Sequence, residues 1–108
     1  MARRPNPKPE GPIGLFLDML AAERGASVNT LEAYRRDLAD FSADLAGVGL
    51  AKAKTNDLRA HLERLAKRGF APATTARRLA AIRQFYRFLY AEGHRSDDPA
   101  AAIEGPKR

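Results

Sequence analysis

The segment TTARRLAAIRQFYRFLY, residues 74–90, decides how the whole chain is interpreted. Its apolar side chains recur at Leu79, Ile82, Tyr86 and Leu89, which is the spacing of a helix that buries one face. The same segment carries four arginines and no acid. Surface helices commonly mix both signs of charge, because opposite charges one turn apart stabilise the helix. The segment therefore predicts a helix that packs on one side and faces a negatively charged partner on the other.

Three further helical segments precede this one. Each has an apolar stripe at helical spacing, and no run of alternating β-branched residues predicts a strand. With the long last helix, the expected helices cover about 11–24, 27–46, 56–68 and 72–92. Short polar connections separate them. The sequence thus predicts an all-α fold, a compact orthogonal bundle of four helices.

Residues at the helix ends support these boundaries. Pro12 suits a first turn, and Gly25 suits a C-terminal stop. Asn29, followed three residues later by Glu32, resembles a capping box for the second helix. Thr55 is a suitable N-cap for the third helix.

Composition narrows the class of protein. The 108 residues include 19 Lys and Arg against 13 Asp and Glu, a net charge of +6, and this balance indicates a polyanionic partner. There is no cysteine and no apolar run long enough for a membrane span, so we expect a cytoplasmic protein without a membrane partner. Residues 1–11 predict a flexible arm rather than a secretion signal. Residues 105–108 predict the start of a linker to a further domain.

Residues typical of catalysis are sparse. His61 and His94 have no third ligand at metal spacing, so the sequence predicts no metal site and two ordinary surface histidines. No glycine-rich phosphate loop is present, and we expect no cofactor and no small-molecule substrate. Tyr34 and Tyr86 fall on apolar stripes and are predicted to pack in the core. Catalysis by this chain alone is not expected.

The outer face of the last helix is the candidate binding surface. A helical wheel gathers Ala73, Arg77, Ala80, Gln84 and Arg87 on this face, with Arg83 at its margin. Arginine can bind guanine and glutamine can bind adenine in a major groove, while small residues allow close approach. The first-turn hydroxyls of Thr74 and Thr75 can donate to phosphate. The alternative is a solvated basic face, which the lack of acids for pairing along the helix makes less favourable.

Two strings at a fixed separation connect the chain to a known family. NTLEAYRRDLADF, residues 29–41, and TTARRLAAIRQFYRFLYAEG, residues 74–93, followed by DDPAAAI, residues 97–103, resemble the N-terminal core-binding domain of tyrosine recombinases, most closely the bacterial Xer enzymes. The resemblance covers roughly residues 13–108. It implies a SAM-like four-helix domain that forms half of a clamp around duplex DNA. It also implies a cytoplasmic enzyme of chromosome dimer resolution, whose catalytic tyrosine lies in a further domain.

The resemblance also implies which residues contact DNA and other subunits. The second and fourth helices would cross in the major groove, and the first helix would contact further recombinase subunits in a DNA-bound tetramer through Leu15 and Met19. The family's contact positions correspond here to Asn29, Thr30, Arg35, Arg36, Thr74, Thr75, Arg77, Arg83, Gln84 and Arg87. This chain departs from relatives at Ala80, where a serine is common, and at Gln84, where a basic residue is common.

Two alternatives stay open on the residues alone. One is an integrase of a phage or mobile element from the same superfamily. The other is a helical protein-interaction module whose basic face is incidental. A helix-turn-helix regulator is disfavoured, because these helices are longer than that motif and its turn signature is missing.

Overall fold

The computed structural model describes residues 11–103. Its elements are α1 (Pro12–Arg24), α2 (Val28–Asp44), a 3₁₀ turn (Leu50–Lys52), α3 (Thr55–Lys67) and α4 (Pro72–Ala91). No strand occurs within this range, and the predicted all-α four-helix fold is confirmed. Except for Gly11, the predicted arm over residues 1–11 lies outside the described residues, as does the predicted linker over 105–108.

α4 is the central helix of the bundle and packs against each of the other three. The predicted stripe of Leu79, Ile82, Tyr86 and Leu89 is buried, as are Thr75, Ala81 and Phe85. Aromatic rings join the helices: Phe85 meets Phe16 of α1 edge-on at 5.6 Å, and Tyr86 meets Phe41 of α2 edge-on at 6.4 Å between centroids. Such edge-to-face pairs add to the stabilisation from apolar burial. One side of α4 is thereby fixed, which leaves its opposite side for another role.

Two of the predicted helix starts need correction. α2 begins at Val28, and its N-cap is Ser27, whose hydroxyl accepts the Thr30 N–H at 3.1 Å. The capping box expected from Asn29 and Glu32 therefore falls inside the helix. Thr55 is not the N-cap of α3 but its first helical residue, since the Asp57 carboxylate accepts the Lys54 N–H at 2.9 Å. In both cases more than one residue can cap, and the backbone outside the helix decides which does.

The predicted glycine stop after α1 is confirmed, and a second glycine ends α4 in the same way. Gly25 after α1 and Gly93 after α4 have φ of 62° and 80°, the left-handed region that a residue without Cβ enters at low cost. The chain then folds back, as shown by the His94 N–H, which donates to the Leu89 carbonyl at 2.8 Å. These stops fix the lengths of α1 and α4.

The segment after α4 packs back onto the bundle. Ala100 and Ile103 are buried in the core. The Thr55 hydroxyl donates to the Pro99 carbonyl at 2.8 Å, and the Arg83 guanidinium donates to the Ile103 carbonyl. The side chain of Thr55 thus ties this segment to α3 instead of capping α3.

Candidate nucleic-acid interface

The outward stripe of α4 has the composition that the wheel predicted. Ala73, Arg77, Ala80 and Arg87 are exposed, and Gln84 is half-buried. The stripe runs along a helix of 20 residues, which corresponds to about 30 Å. Alanines between long cationic side chains leave room for a surface to approach the helix closely. We call these five residues the α4 stripe.

One acid of α2 lies directly under the α4 stripe. The Asp37 side chain is only 1% exposed, and its Oδ2 accepts from Arg77 Nη1 at 2.9 Å. The Arg77 side chain is 49% exposed, so it joins a buried carboxylate to the surface. Arg78 Nε lies 3.8 Å from the other Asp37 oxygen, beyond hydrogen-bond distance. Within residues 11–103 neither of these two atoms has a hydrogen-bond partner, and their attraction is purely electrostatic.

A second acid of α2, Asp40, forms ion pairs with two arginines. Asp40 Oδ2 lies 2.7 Å from Arg78 Nη1 and 3.2 Å from Arg68 Nη1. Both guanidiniums also lie over the Phe70 ring, at 4.7 Å for Arg78 and 4.9 Å for Arg68. Cation–π contacts of this kind stabilise a charge that is partly removed from water. Because the Arg78 side chain is only 12% exposed, it joins helices and is not available to a ligand.

A third acid of α2, Asp44, contacts His61, for which the sequence prediction was wrong. The histidine was expected at the surface, but it is buried, with its ring 4.9 Å from that of Phe41 and its Nδ1 2.5 Å from Asp44 Oδ2. It lies between Leu58 and Leu65 on the buried stripe of α3. A histidine buried there is retained because Asp44 accepts its hydrogen bond.

Electrostatics around Asp44 favour its charged form. Partial burial raises the pKa of this carboxyl, but hydrogen bonds from His61 and Arg64 outweigh that effect, and the net pKa is below the ordinary value. Arg64 Nε lies 3.2 Å from Asp44 Oδ2. Asp44 therefore ties the C-terminal end of α2 to α3 as a carboxylate.

These contacts correct the first interpretation of the acid-free segment. Seven basic residues and no acid occur over residues 64–90. Four of the seven, Arg64, Arg68, Arg77 and Arg78, pair with acids of α2. The missing negative charge is supplied by another helix, so a lack of acids along α4 does not by itself require an external polyanion. The candidate interface is reduced to the groups that remain exposed.

The amide of Gln84 is engaged at both ends. Its Oε1 accepts from Arg24 Nη1 of α1 at 2.9 Å, and its Nε2 donates to the Tyr34 hydroxyl of α2 at 3.0 Å. The Tyr34 ring in turn stacks on Phe16 at 6.2 Å. Each end of the amide keeps the capacity for one more hydrogen bond, so a base contact by Gln84 uses that remaining capacity or exchanges one of these partners. The same contacts place the Arg24 guanidinium, which the sequence interpretation had left out, beside the α4 stripe.

The two predicted phosphate-binding threonines differ in accessibility. Thr75 is buried, and its N–H donates to the Ala71 carbonyl at 3.0 Å. Thr74 is half-buried and lies nearer the surface. The predicted DNA contact of Thr75 requires movement of the first turn, whereas that of Thr74 does not.

Arg83 and Arg87 differ in a similar way. Arg83 is exposed but donates to the Ile103 carbonyl, so part of its hydrogen-bonding capacity holds the C-terminal segment. Arg87 is exposed and makes no ion pair or hydrogen bond with residues 11–103. Arg87 borders a groove between α1 and α4, whose other charged residues are Arg24 and the two acids Glu23 and Glu92. Among the predicted arginines of α4, Arg87 is the one most available to a ligand.

The predicted contacts on α2 lie in its first turn and at its middle. Asn29, Arg35 and Arg36 are exposed, and Thr30 is half-buried. The Thr30 hydroxyl accepts from Ser27 Oγ at 3.1 Å, within the cap of the helix. Hydrogen bonds from Gln84 to the Tyr34 hydroxyl and from Arg77 to the Asp37 carboxylate join α4 to α2, so the two helices contribute to one surface.

The predicted subunit contacts on α1 are unequal. Leu15 is 42% exposed and is one of four large hydrophobic residues exposed within residues 11–103. Met19 is half-buried and packs against the core. Their role between subunits stays a prediction, for which Leu15 is the more accessible residue.

The sequence interpretation gave no role in this site to five residues, which are Asp37, Asp40, Asp44, His61 and Arg24. A signal exists for Asp37, since it borders the apolar stripe of Tyr34, Leu38 and Phe41 on the wheel of α2. An acid in such a position has to find a partner. No comparable pattern identifies Arg24, because its partner Gln84 is 60 residues away in the chain.

Comparisons with known proteins agree with this fold. The family model described as "Phage integrase, N-terminal SAM-like domain" matches residues 13–93. The chain is 55% identical over 95 residues to "Tyrosine recombinase XerD" of Brucella suis, and 60% identical over 97 residues to that of Bradyrhizobium diazoefficiens. These alignments cover 86% and 88% of this chain but only 31% and 30% of the relatives, so the chain spans about a third of their length.

Two further observations concern residues 11–103. None of their helices combines the length and apolarity needed to cross a membrane. No three of their histidines and acids lie close enough together to hold a metal ion. With a match over residues 13–93 and a four-helix fold, the chain belongs to the family of phage integrase N-terminal, SAM-like domains.

Proposed function

We propose that this chain is the DNA-binding N-terminal domain of a XerD-type tyrosine recombinase. The observation that carries the proposal is the α4 stripe, in which exposed arginines alternate with alanines along a rigid helix. Relatives named tyrosine recombinase XerD, at 47–60% identity, favour this class over an integrase of a mobile element. Duplex DNA is the proposed partner, with α2 and α4 against its major groove.

Within this proposal the exposed residues divide by role. Arg77, held at its base by Asp37, is directed to a base edge, where a guanidinium can bind guanine through two hydrogen bonds. Arg87 and Arg36, which are exposed, are directed to phosphates. Thr74 adds a hydroxyl close to the start of α4. Gln84 contributes through the amide N–H and the oxygen lone pair that its bonds with Arg24 and Tyr34 leave available.

Strand cleavage and rejoining we assign to parts of such recombinases that this chain does not match. Burial raises the pKa of Tyr86 above its ordinary value, although Arg95 opposes this effect. A nucleophilic hydroxyl needs the opposite change or an adjacent base. The Tyr86 hydroxyl instead donates to the Leu50 carbonyl at 2.7 Å and stabilises the core. The proposal also includes assembly with further subunits on DNA, through Leu15 of α1, and a cytoplasmic role in chromosome dimer resolution.

A salt titration of duplex binding tests the proposal. We expect fluorescence anisotropy to detect binding to a short labelled duplex at about 50 mM salt, with affinity falling steeply as salt increases, because phosphate contacts release counterions. Arg87→Ala should reduce the slope of log K against log salt by about one unit. Its matched control is Arg59→Ala, which removes an exposed arginine from α3, beside Leu62 and Ile103.

Two results would contradict the proposal. One is the absence of duplex binding at low salt. The other is an equal loss of slope in the Arg87 and Arg59 variants, which would mean that net charge and not the α4 stripe determines binding. An interaction module with an incidental basic face predicts this second result.

A further inference from the structure

We propose that Asp37 is a positioning residue for DNA recognition: it fixes the Arg77 guanidinium for a base contact while lowering affinity for duplex DNA in general. This inference rests on the proposed function. It concerns a residue that would not touch DNA itself, because its side chain is almost fully buried under the α4 stripe.

The position of Asp37 restricts Arg77 without occupying it. Only Nη1 of Arg77 is bound, at 2.9 Å from Asp37 Oδ2. A guanidinium has five N–H groups, so most remain for a ligand. The carboxylate is held from the other side by Arg78, whose Nε lies 3.8 Å from Asp37 Oδ1 and whose Nη1 is anchored to Asp40 at 2.7 Å. The side chains of Asp40, Arg78 and Asp37 thus form a connected series of charges that leads to the half-exposed Arg77.

A fixed arginine improves discrimination between sequences. An unpaired arginine loses the freedom of several rotatable bonds when it binds, and it can reach phosphates as readily as bases. Arg77 is already ordered by Asp37, so a base that fits its orientation is bound at a lower entropic cost. A phosphate that binds Arg77 in another orientation has to compete with the buried Asp37 carboxylate.

The negative charge of Asp37 also favours discrimination between sequences over general affinity for DNA. It offsets the charge of Arg77 at the surface, so the attraction between Arg77 and the DNA backbone is weaker than that of a free arginine. Arg87, which makes no ion pair within the described residues, provides the contrast. The two arginines of one stripe thus have different roles: Arg87 for affinity and Arg77 for choice of sequence.

The alternative is that Asp37 only stabilises the bundle. A purely structural role predicts that its loss lowers binding to every duplex equally, or leaves binding unchanged. A positioning role predicts that the ratio of affinities changes while general affinity does not fall. The ratio of affinities for two duplexes is therefore the decisive quantity.

The experiment starts from a random-sequence duplex library. The full 108-residue chain is used to select a preferred duplex, and affinities are then measured for that duplex and for a shuffled version of it. Asp37→Asn replaces a charged acceptor with a neutral one that holds Arg77 less firmly. We expect the ratio of the two affinities to fall about threefold to tenfold, because more of this long side chain then has to be ordered on binding. Affinity for the shuffled duplex should stay equal or increase, with a salt slope steeper by about one unit.

Three variants make the test specific. Asp18→Asn removes one exposed carboxylate from α1 and should leave the ratio unchanged. In an Arg77→Met background, adding Asp37→Asn should not alter the ratio further, because Asp37 acts through Arg77. Asp37→Glu keeps the net charge but moves the carboxylate by about 1.5 Å, and it should also lower the ratio. The glutamate variant carries the test if the asparagine variant does not fold.

The outcomes separate the two proposals. If the unmodified chain selects a sequence and the Asp37 variants retain its ratio, or lose affinity for both duplexes in proportion, the positioning role is refuted while the proposed function stands. If the unmodified chain binds duplex DNA but selects no sequence, the positioning role is refuted while the proposed function stands. If it binds no duplex, both proposals are refuted.

Discussion

The hydroxyl of Tyr86 offers a sharp test of the core that supports the interface. The side chain is fully buried, and its hydroxyl donates to the Leu50 carbonyl at 2.7 Å. Tyr86→Phe leaves the ring in place and leaves that carbonyl without this donor. We expect a loss of about 1–2 kcal/mol in the free energy of unfolding, the usual cost of an unsatisfied buried group. For a domain of this size, each kcal/mol corresponds to a Tm lower by about 4–8 °C.

The pKa of Tyr86 determines the sign of the pH dependence of this loss. Burial raises the pKa of Tyr86 in the folded state, whereas an unfolded tyrosine titrates near pH 10. Its stabilising contribution is therefore fully present below about pH 10 and is lost as pH increases towards the folded pKa. Between these limits the loss is about 1.4 kcal/mol per pH unit. The stability curves of the unmodified chain and Tyr86→Phe should thus converge near pH 11.

Urea unfolding followed by circular dichroism, at a series of pH values, measures both effects. Tyr90→Phe is the matched control, because the Tyr90 side chain is exposed and makes no hydrogen bond with the described residues. This variant should stay within about 0.5 kcal/mol of the unmodified chain. The reasoning is refuted if Tyr86→Phe is no more destabilising than Tyr90→Phe at pH 7, or if their difference persists unchanged above pH 11.

Three further predictions concern other contacts of the bundle, each measured by the free energy of unfolding in urea. Asp44→Ala should cost about 1–3 kcal/mol at pH 7 by leaving buried His61 without its acceptor, and because the folded pKa of Asp44 is lowered, this difference should shrink as pH falls below about 4; no loss at pH 7 would contradict it. Leu17→Ser should cost more than about 2 kcal/mol and Leu15→Ser less than about 0.5, since only Leu17 is buried; equal costs would contradict this assignment of the faces of α1. Thr55→Val should cost about 1 kcal/mol by removing the bond to the C-terminal segment, and should speed proteolysis of that segment; unchanged proteolysis would contradict the contact.

The fold was predictable because its main signals are local. The period of Leu79, Ile82, Tyr86 and Leu89 identifies the buried face of α4, and a single segment contains that information. Stops at Gly25 and Gly93 follow from backbone freedom, which is also local. The N-caps were less predictable, since neighbouring polar residues compete for the same role.

The electrostatics of the candidate site could not be predicted in the same way. Arg77 and Asp37 are 40 residues apart in the chain, and Arg78 and Asp40 are 38 apart. A helical wheel shows that an arginine points away from the core, but it does not show which neighbouring helix lies beside it. The expectation that the acid-free helix lacks pairing was wrong for this reason. His61 was assigned to the surface on its residue type, although its position on the stripe of α3 favoured burial.

The bond between Arg77 and Asp37 also bears on how the target preference of such a domain can change. Replacing Arg77 with a residue suited to another base leaves a carboxylate that is 1% exposed without its nearest partner. Removing one member of a buried pair is usually far more damaging than replacing both. Altered recognition at this position therefore demands paired substitutions on α2 and α4. Engineering libraries that vary Arg77 alone would mostly sample destabilised proteins, whereas libraries that vary both positions would reach new specificities with the bundle intact.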